Sequence, residues 1–401
     1  MFTGMSDVTA PRPRLVTRPL VLVCLANFCA LTSFYLLLTV VPMYAAAAGG
    51  GVGAGMTTGA LMLTTVVAEL CTPWLVSRYG YRRVLVAGMV TLGAPALLLL
   101  GSSGMATILA VCLVRGFGFA IAMVAGGALA ASLLPAERRG EGLGVLGLVS
   151  GIPAVIALPA GVWLAGNHGY PPVFVAGALA GVTAAVLLLG VPDPRQEAGE
   201  PAGRSLGVLA GLRTPALVRP SVMFFATATA TGVVVTFLPL AVADASGDLA
   251  TLGLLVHSVA VTLARWWAGR HGDRHGAAGL LVPGVLATAA GMLLLVMVDS
   301  PYAMLAGTAL GGAGFGAAAN ASLALMYDRV APSGYGAVAA IWNVAYDTGL
   351  GVGGAGFGVL AARSGYPAGF ALTGVLVLAV LVPARSGAGL PRGGGKAAPP
   401  A

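Results

Sequence analysis

The chain has 401 residues, of which 58% are hydrophobic and only 8% charged, and its formal net charge is +8. An ordinary soluble domain carries about 25% charged residues, so this composition excludes a water-soluble protein and indicates a chain that faces lipid. The four cysteines all fall in apolar runs, which predicts packed thiols rather than a disulfide framework or a zinc site.

Twelve apolar runs are long enough to cross a bilayer, which takes about 20 residues. They lie at about 19–47, 56–77, 84–104, 106–134, 142–166, 170–191, 216–243, 249–269, 277–298, 301–326, 335–362 and 366–383. We therefore predict an N-terminal six-helix bundle at 19–191 and a C-terminal one at 216–383. A polar linker at 192–215 separates them. The tails at 1–18 and 384–401 flank them, and the second, rich in Gly and Pro, is predicted to be disordered.

The basic residues are distributed unevenly between the two sides of the predicted spans. Nearly all of the 21 lie in the tails, in the even-numbered connections or in the span ends beside them, whereas Arg363 alone lies in an odd-numbered connection and Arg115 lies deep within a span. Lys and Arg accumulate in cytoplasmic loops. The sequence thus predicts a multi-pass protein of the cytoplasmic membrane with both termini in the cytoplasm.

The two halves share short landmarks at one constant offset (276 − 80 = 196). Matches early, midway and late in each half predict two halves of the same topology, related by an axis along the membrane normal. Three landmarks return at this offset: Arg78-Tyr79-Gly80 as Arg274-His275-Gly276, Gly116-Phe117-Gly118 as Gly312-Ala313-Gly314, and Gly169-Tyr170-Pro171 as Gly365-Tyr366-Pro367.

The connection between spans two and three carries a specific resemblance. It resembles the signature Gly-x-x-x-Asp-Arg-x-Gly-Arg-Arg of the major facilitator superfamily, with Pro73 at the leading glycine and Ser77 at the aspartate. The second copy keeps the glycine and the aspartate. In that family the aspartate helps to latch the two halves. The gate residues that the resemblance implies are Ser77, Arg78, Gly80, Arg82 and Arg83 in the first copy, and Gly269, Asp273, Arg274 and Gly276 in the second.

Spans four and five extend this resemblance. The run that starts at Arg115 looks like the family's span-four arginine motif, and Leu158-Pro159 resembles a degraded form of the Gly-Pro motif of its proton-driven exporters. The resemblance implies an all-α membrane fold of twelve transmembrane helices in two pseudo-symmetric six-helix bundles. It also implies a drug or metabolite proton antiporter whose cavity is lined by spans one, four, seven and ten.

Three formally charged groups lie near mid-span, namely Glu69 in span two, Arg115 in span four and Asp347 in span eleven. Each costs about 2.5–3.5 kcal/mol at a helix centre, so such groups face a cavity or pair inside the bundle. A carboxyl group removed from water holds a proton more readily, which suits a proton carrier. The alternative is a structural ion pair between Glu69 and Arg115. The cavity that the resemblance implies favours Arg115 as a substrate contact.

Other polar and aromatic residues are candidates for the substrate or proton pathway. His257 in span eight is a candidate proton relay, with a packed neutral histidine as the alternative. A wall of aromatic and hydroxyl groups suits an amphipathic organic substrate, although each of its members could equally serve helix packing. These residues are Asn27, Ser33 and Tyr35 in span one, and Phe224, Phe225, Thr227 and Thr231 in span seven.

The sequence therefore predicts a secondary transporter that exports a small organic molecule in exchange for protons by alternating access, and not an enzyme. No cofactor or metal is expected, because the proton motive force supplies the energy. The expected partners are the substrate, protons and the lipid bilayer, without nucleic acid, and the protein is expected to be a monomer. The alternatives are a nutrient or sugar permease of the same fold and a non-transporting membrane sensor that kept the fold.

Overall fold

The computed structural model describes residues 17–134, 139–192, 213–242, 248–331 and 334–381, and within these ranges the ordered elements are all helical. The predicted linker and both tails lie almost wholly outside the described residues. The helices are α1 Arg18–Tyr79, α2 Tyr81–Gly93, α3 Met105–Ser132, α4 Arg139–His168, α5 Tyr170–Leu189, α6 Pro215–Ala241, α7 Asp248–His275, α8 Ala278–Leu294, α9 Pro301–Tyr327 and α10 Tyr335–Ala379. Short 3-10 segments extend α2 over Ala94–Leu100 and α8 over Leu295–Met297.

The two longest helices each contain a break and so supply two spans. The backbone of α1 leaves helical geometry at Gly49 and Gly50, and that of α10 does so at Gly365. The first break is tighter than the interval of residues 48–55 between the first two predicted spans, because the helix resumes directly after Gly50. Twelve spans result within the described residues. Nine of the described helices, α1 among them, are long and apolar enough to cross a membrane.

The internal repeat is visible in the backbone. Four of the five positive-φ glycines in the described residues form two pairs, at 82° and 85° for Gly80 and Gly276, and at 79° for both Gly169 and Gly365. Glycine adopts this conformation without steric cost because it has no Cβ atom. The two members of each pair are separated by the offset of the sequence landmarks (276 − 80 = 196 and 365 − 169 = 196). We call the end of the bundle that holds Gly80 and Gly276 the Gly80 end, and the opposite end the Gly50 end.

Helix contacts repeat with the same register. A Cβ atom at Gly118 would come within 2.5 Å of the Gly88 carbonyl oxygen, and one at Gly314 within 2.5 Å of the Gly284 carbonyl oxygen. The two partner glycines are separated by the same offset (284 − 88 = 196). The third and fourth spans of each half therefore pack backbone to backbone, as small residues allow in membrane helices.

Each half has its own core, and the halves meet along α1 and α10. Phe174 and Phe370 are almost fully buried, each in the core of one half. Towards the Gly50 end, a Cβ atom at Gly55 would lie 2.5 Å from the Gly354 carbonyl oxygen. Such close backbone contact means that the halves are shut against each other on this side.

Candidate functional site

Two carboxyl groups from different halves meet between the halves, nearer the Gly80 end than the Gly50 end. The side chains of Glu69 on α1 and Asp347 on α10 lie against each other, and only 7% and 3% of them are exposed. Glu69 lies about three helical turns before the end of α1, and Asp347 lies about three turns after the start of α10, so both sit at one level. The sequence indicated each residue separately, and the packing of α1 on α10 brings them together.

Arg115 binds backbone carbonyls. Its side chain is 1% exposed, and its Nε and Nη2 atoms donate hydrogen bonds to the carbonyl oxygens of Leu92 (3.0 Å) and Ser33 (3.3 Å). It also borders a cavity of about 10 Å³, room for about one water molecule, beside Thr58. The structure therefore shows Arg115 bonded to these carbonyl oxygens, and not in the ion pair with Glu69 that the sequence left as an alternative.

The reason is depth in the bundle. Counted from the Gly50 end, Arg115 lies about three helical turns into α3, whereas Glu69 lies about five turns beyond the break of α1. At a rise of about 1.5 Å per residue, this difference amounts to about 12 Å along the helix axis. The sequence estimate placed the two residues at similar depth because it began the second span at residue 56.

Four aromatic rings form a stack in the C-terminal half, which we call the aromatic cluster: Phe224, Phe315, Trp342 and Tyr346. Ring centroids are 4.5 Å apart for Phe224 and Trp342, 5.8 Å for Phe224 and Phe315, and 5.9 Å for Phe315 and Tyr346. Only Phe224 was named from the sequence. Trp342 and Tyr346 lie one helical turn apart, and Tyr346 adjoins Asp347 in the sequence. This spacing next to a charged residue was the sequence signal that could have identified them.

Arg265 on α7 corrects the sequence analysis, which counted only three charged groups near mid-span. It lies about three helical turns before the end of α7, as deep in its helix as Glu69 in α1. Arg265 and Asp347 are both in electrostatic range of Tyr35 and Tyr346. The residue escaped notice because a basic residue near the end of a predicted span reads as part of the adjoining basic loop.

The other candidates lie away from the carboxyl pair or serve packing. Asn27 donates a hydrogen bond of 3.0 Å to the Ser150 hydroxyl and so joins spans one and five. His257 is buried, with Nδ1 3.3 Å from the Thr308 carbonyl oxygen, and its Nε2 has no hydrogen-bond partner among the residues that the structure describes. Phe225 is only partly buried and lies outside the aromatic cluster.

Some of the hydroxyl groups that the sequence suggested as a substrate wall donate their hydrogen bonds to backbone carbonyl oxygens instead. Thr227 donates its hydroxyl hydrogen to the Phe224 carbonyl oxygen over 2.8 Å. The hydroxyl oxygens of Ser33 and Thr231 are buried and have no hydrogen-bond partner among the described residues.

The gate residues lie at the Gly80 end. Ser77 does not act there as an aspartate would, because its hydroxyl donates a hydrogen bond of 2.8 Å to the Trp74 carbonyl oxygen of its own helix. Asp273 of the second copy is exposed. The gating role of these loops stays a prediction. The basic members Arg78, Arg82, Arg83 and Arg274 are likewise exposed, and Gly269 is partly buried.

Comparison with known proteins agrees with this architecture. The chain is 30% identical over 297 residues to a chloramphenicol resistance protein of Streptomyces lividans, covering 72% of this chain and 75% of that protein. The structure of the nucleoside transporter NupG superposes with a TM-score of 0.70 at 12% identity, over 92% of this chain and 98% of NupG. An inward-facing bacterial homologue of the human lysosomal transporter Spinster gives 0.71 at 14% identity, over 92% and 94%.

These two structural neighbours are too distant in sequence to show more than the fold. The family model of the major facilitator superfamily matches residues 23–241 and 221–386, which is most of the chain. This agreement confirms the resemblance, the twelve-helix fold and the expectation that the chain is a transporter and not an enzyme. The protein is a multi-pass membrane transporter that belongs to the major facilitator superfamily.

Proposed function

We propose that this transporter exports a small, amphipathic organic molecule in exchange for protons, by alternating access between its two halves. The observation that carries the proposal is the contact of Glu69 with Asp347 between the halves. Charged residues inside a membrane protein are costly and mark ion or proton pathways. A carboxyl group at an interface that must open and close can bind a proton on one side of the membrane and release it on the other.

The relative from Streptomyces lividans supports export and suggests the kind of substrate. Its name states resistance to chloramphenicol, a compound that combines an aromatic ring with hydroxyl and amide groups. The aromatic cluster offers ring faces, and Tyr35 and Asp347 lie beside it at the level of Tyr346. A mostly apolar wall with few polar groups is typical of sites for such molecules.

The same proposal includes the arrangement expected from the sequence. The bundles at 19–191 and 216–383 would rock as two units, the termini would lie in the cytoplasm, and one copy of the chain would form the complete pathway. The distribution of basic residues supports the orientation.

Transport assays in inverted membrane vesicles test the proposed function. Chloramphenicol serves as the probe, with the pH inside set below that outside, the direction that drives antiport into such vesicles. We expect accumulation that collapses when a proton ionophore is added. Glu69→Gln and Asp347→Asn should each lose the accumulation that depends on the gradient. Accumulation that is the same with and without the pH gradient would refute proton coupling.

A further inference from the structure

One ring of the aromatic cluster is held in place by a hydrogen bond. The indole Nε1 of Trp342 on α10 donates a hydrogen bond of 3.1 Å to the Ser322 hydroxyl oxygen on α9. That hydroxyl in turn donates its own hydrogen to the Ala319 carbonyl oxygen over 3.1 Å, so its oxygen lone pairs are left for the indole. Trp342 cannot turn its ring without breaking this hydrogen bond, and the plane of the indole is therefore fixed.

The rings of the aromatic cluster lie nearly parallel to one another. The planes of Phe224 and Trp342 are inclined by 13°, and those of Phe224 and Phe315 by 18°. The planes of Tyr346 and its three neighbours in the cluster differ by 13° to 27°. Edge-to-face contacts are common between aromatic side chains, but none occurs within this cluster. Its geometry therefore suits a further flat ring that continues the stack.

Trp342 is the member of the cluster that can accept such a ring. Phe224 and Phe315 are only 0% and 5% exposed, so other side chains already cover them. Trp342 is partly exposed, although it stacks on Phe224 of α6 at 4.5 Å and bonds to Ser322 of α9. These two contacts point its side chain into the C-terminal half. The part of the indole that Phe224 leaves uncovered is thus reached from inside the bundle.

The depth of Trp342 gives the site a direction. Trp342 precedes Asp347 by five residues, which places it about 7.5 Å nearer the Gly80 end along α10. Tyr346 lies one turn deeper and brings its hydroxyl group into electrostatic range of Tyr35. A molecule that comes from the Gly80 end therefore meets the flat indole first and polar groups after it.

The internal repeat shows that the fold itself does not require an indole at this position. The residue equivalent to Trp342 is Leu146 (342 − 196 = 146), and the residue equivalent to Tyr346 is Ser150 (346 − 196 = 150). Ser150 accepts a hydrogen bond from Asn27. One half thus carries rings where the other half carries an aliphatic residue and a polar pair.

We infer that Trp342 is the platform on which the aromatic ring of the substrate stacks, and that Ser322 is the positioning residue that holds the indole in this plane. The inference rests on the proposed export of an amphipathic molecule and names the side chain that selects its ring. The polar end of the substrate points towards Tyr346 and Tyr35. Flat aromatic compounds are preferred over aliphatic compounds of equal polarity, because stacked rings attract each other beyond the effect of the area that they bury.

Tryptophan fluorescence of the purified protein in lipid locates the ring without transport. The probe is chloramphenicol, whose nitrophenyl group quenches indole emission on contact. The other four tryptophans are 46% to 61% exposed, namely Trp74, Trp163, Trp266 and Trp267. We expect saturable quenching that is lost in Trp342→Phe and kept in Trp163→Phe, the matched control. The inference is overturned if the original protein shows no saturable quenching, or if Trp342→Phe keeps it.

Two replacements of Trp342 separate ring stacking from apolar bulk. Phenylalanine keeps a ring face, whereas leucine keeps an apolar side chain without one. We expect the apparent KM for chloramphenicol transport to rise about three- to tenfold in Trp342→Leu and to stay within about twofold in Trp342→Phe, with the maximal rate little changed. Equal KM values for the two variants would show that no ring stacks on this residue.

Replacement of Ser322 tests its role as the positioning residue. In Ser322→Ala the indole N–H loses its partner and the ring can turn, so we expect a higher KM and weaker quenching at an unchanged maximal rate. Ser322→Thr keeps the hydroxyl group and should restore both. Packing alone predicts the opposite order, because Ser322 is 0% exposed and threonine adds a methyl group. If Ser322→Thr performs no better than Ser322→Ala, the role of Ser322 is refuted.

Quenching and transport together separate this inference from the proposed function. If chloramphenicol quenches Trp342 but the pH gradient drives no uptake, the ring site stands and the proposed function is wrong. If the gradient drives uptake while the quenching does not depend on Trp342, the proposed function stands and the ring site is wrong.

Discussion

At the scale of single residues, Arg115 shows how a buried charge can be satisfied without an ion pair. Its guanidinium donates to carbonyl oxygens on two other spans, at Leu92 and Ser33. Planar guanidinium groups offer several donors in fixed directions, which one ammonium group cannot reproduce. Arg115 therefore joins spans one, three and four at the level of the small cavity, and its loss would disturb the shape of that cavity.

Replacement of Arg115 by lysine keeps the charge and removes the forked geometry. We expect Arg115→Lys to lower the apparent free energy of unfolding in detergent by about 1.5–3 kcal/mol, the contribution of a hydrogen bond that involves a charged group. Arg270→Lys, on an exposed residue, serves as the control and should have little effect. Equal midpoints of thermal unfolding for the two variants would contradict the structural role of Arg115.

At the scale of elements, close helix contacts depend on glycine. The third and fourth spans of the second half, α8 and α9, touch where Gly314 faces Gly284 and Thr288. Lipid provides little hydrophobic drive for helix association, so close packing of small residues provides much of the attraction. The same contact in the first half, at Gly118, explains why these glycines recur at a fixed offset.

An alanine at Gly314 would push α8 and α9 apart. Its Cβ atom would overlap the Gly284 carbonyl oxygen, which cannot move independently of its helix. We expect Gly314→Ala to lower the apparent free energy of unfolding by about 1–3 kcal/mol, as overpacking does elsewhere. Gly356→Ala is the matched control, because no atom lies within 4 Å of its Cβ position. There we expect no loss, and a gain of up to about 1 kcal/mol. Equal losses in both would refute the contact.

At the scale of the whole molecule, the halves are closed towards the Gly50 end. The hydroxyl groups of Thr58 and Thr236 share a hydrogen bond of 3.0 Å across the interface, and Gly55 lies against Gly354. Transport by alternating access requires these surfaces to separate once in every cycle. The carboxyl pair lies on the other side of these contacts, nearer the Gly80 end.

A reversible crosslink tests whether the halves must separate. In a background without the four native cysteines, Thr58→Cys and Thr236→Cys place two thiols where the two hydroxyl oxygens lie 3.0 Å apart. We expect oxidation of the double variant to stop chloramphenicol transport and a reductant to restore it, with both single variants unaffected. Full transport by the crosslinked protein would show that this interface need not open.

Several features of the fold could be predicted because they are local. Apolar run length predicts spans, and all twelve expected spans are present in the described residues. The glycine turns were also visible, since Gly80 and Gly276 need a backbone conformation that other residues avoid. Boundaries were less accurate. The second span begins earlier than expected. The sequence suggested a longer loop before it, but two glycines suffice for the turn.

The sequence identified individual residues of the candidate site but not their contacts. Buried charge identified Glu69, Arg115 and Asp347 one at a time, since the cost of placing a charge in lipid depends only on the residue and its depth. Helix packing decides which of these charged side chains come into contact. Glu69 and Asp347 lie in different halves of the chain, and no local pattern indicates that α1 and α10 place them at one level.

The sequence by itself determined that the protein spans the membrane, that it does so twelve times and that its halves repeat. These properties follow from composition, run length and a constant offset. Only the tertiary structure decided that Arg115 binds carbonyls, that Arg265 lies in electrostatic range of Tyr35 and Tyr346, and that two carboxyl groups meet between the halves. These contacts depend on the rotation and depth of helices distant in the chain, which neither hydropathy nor motif spacing specifies.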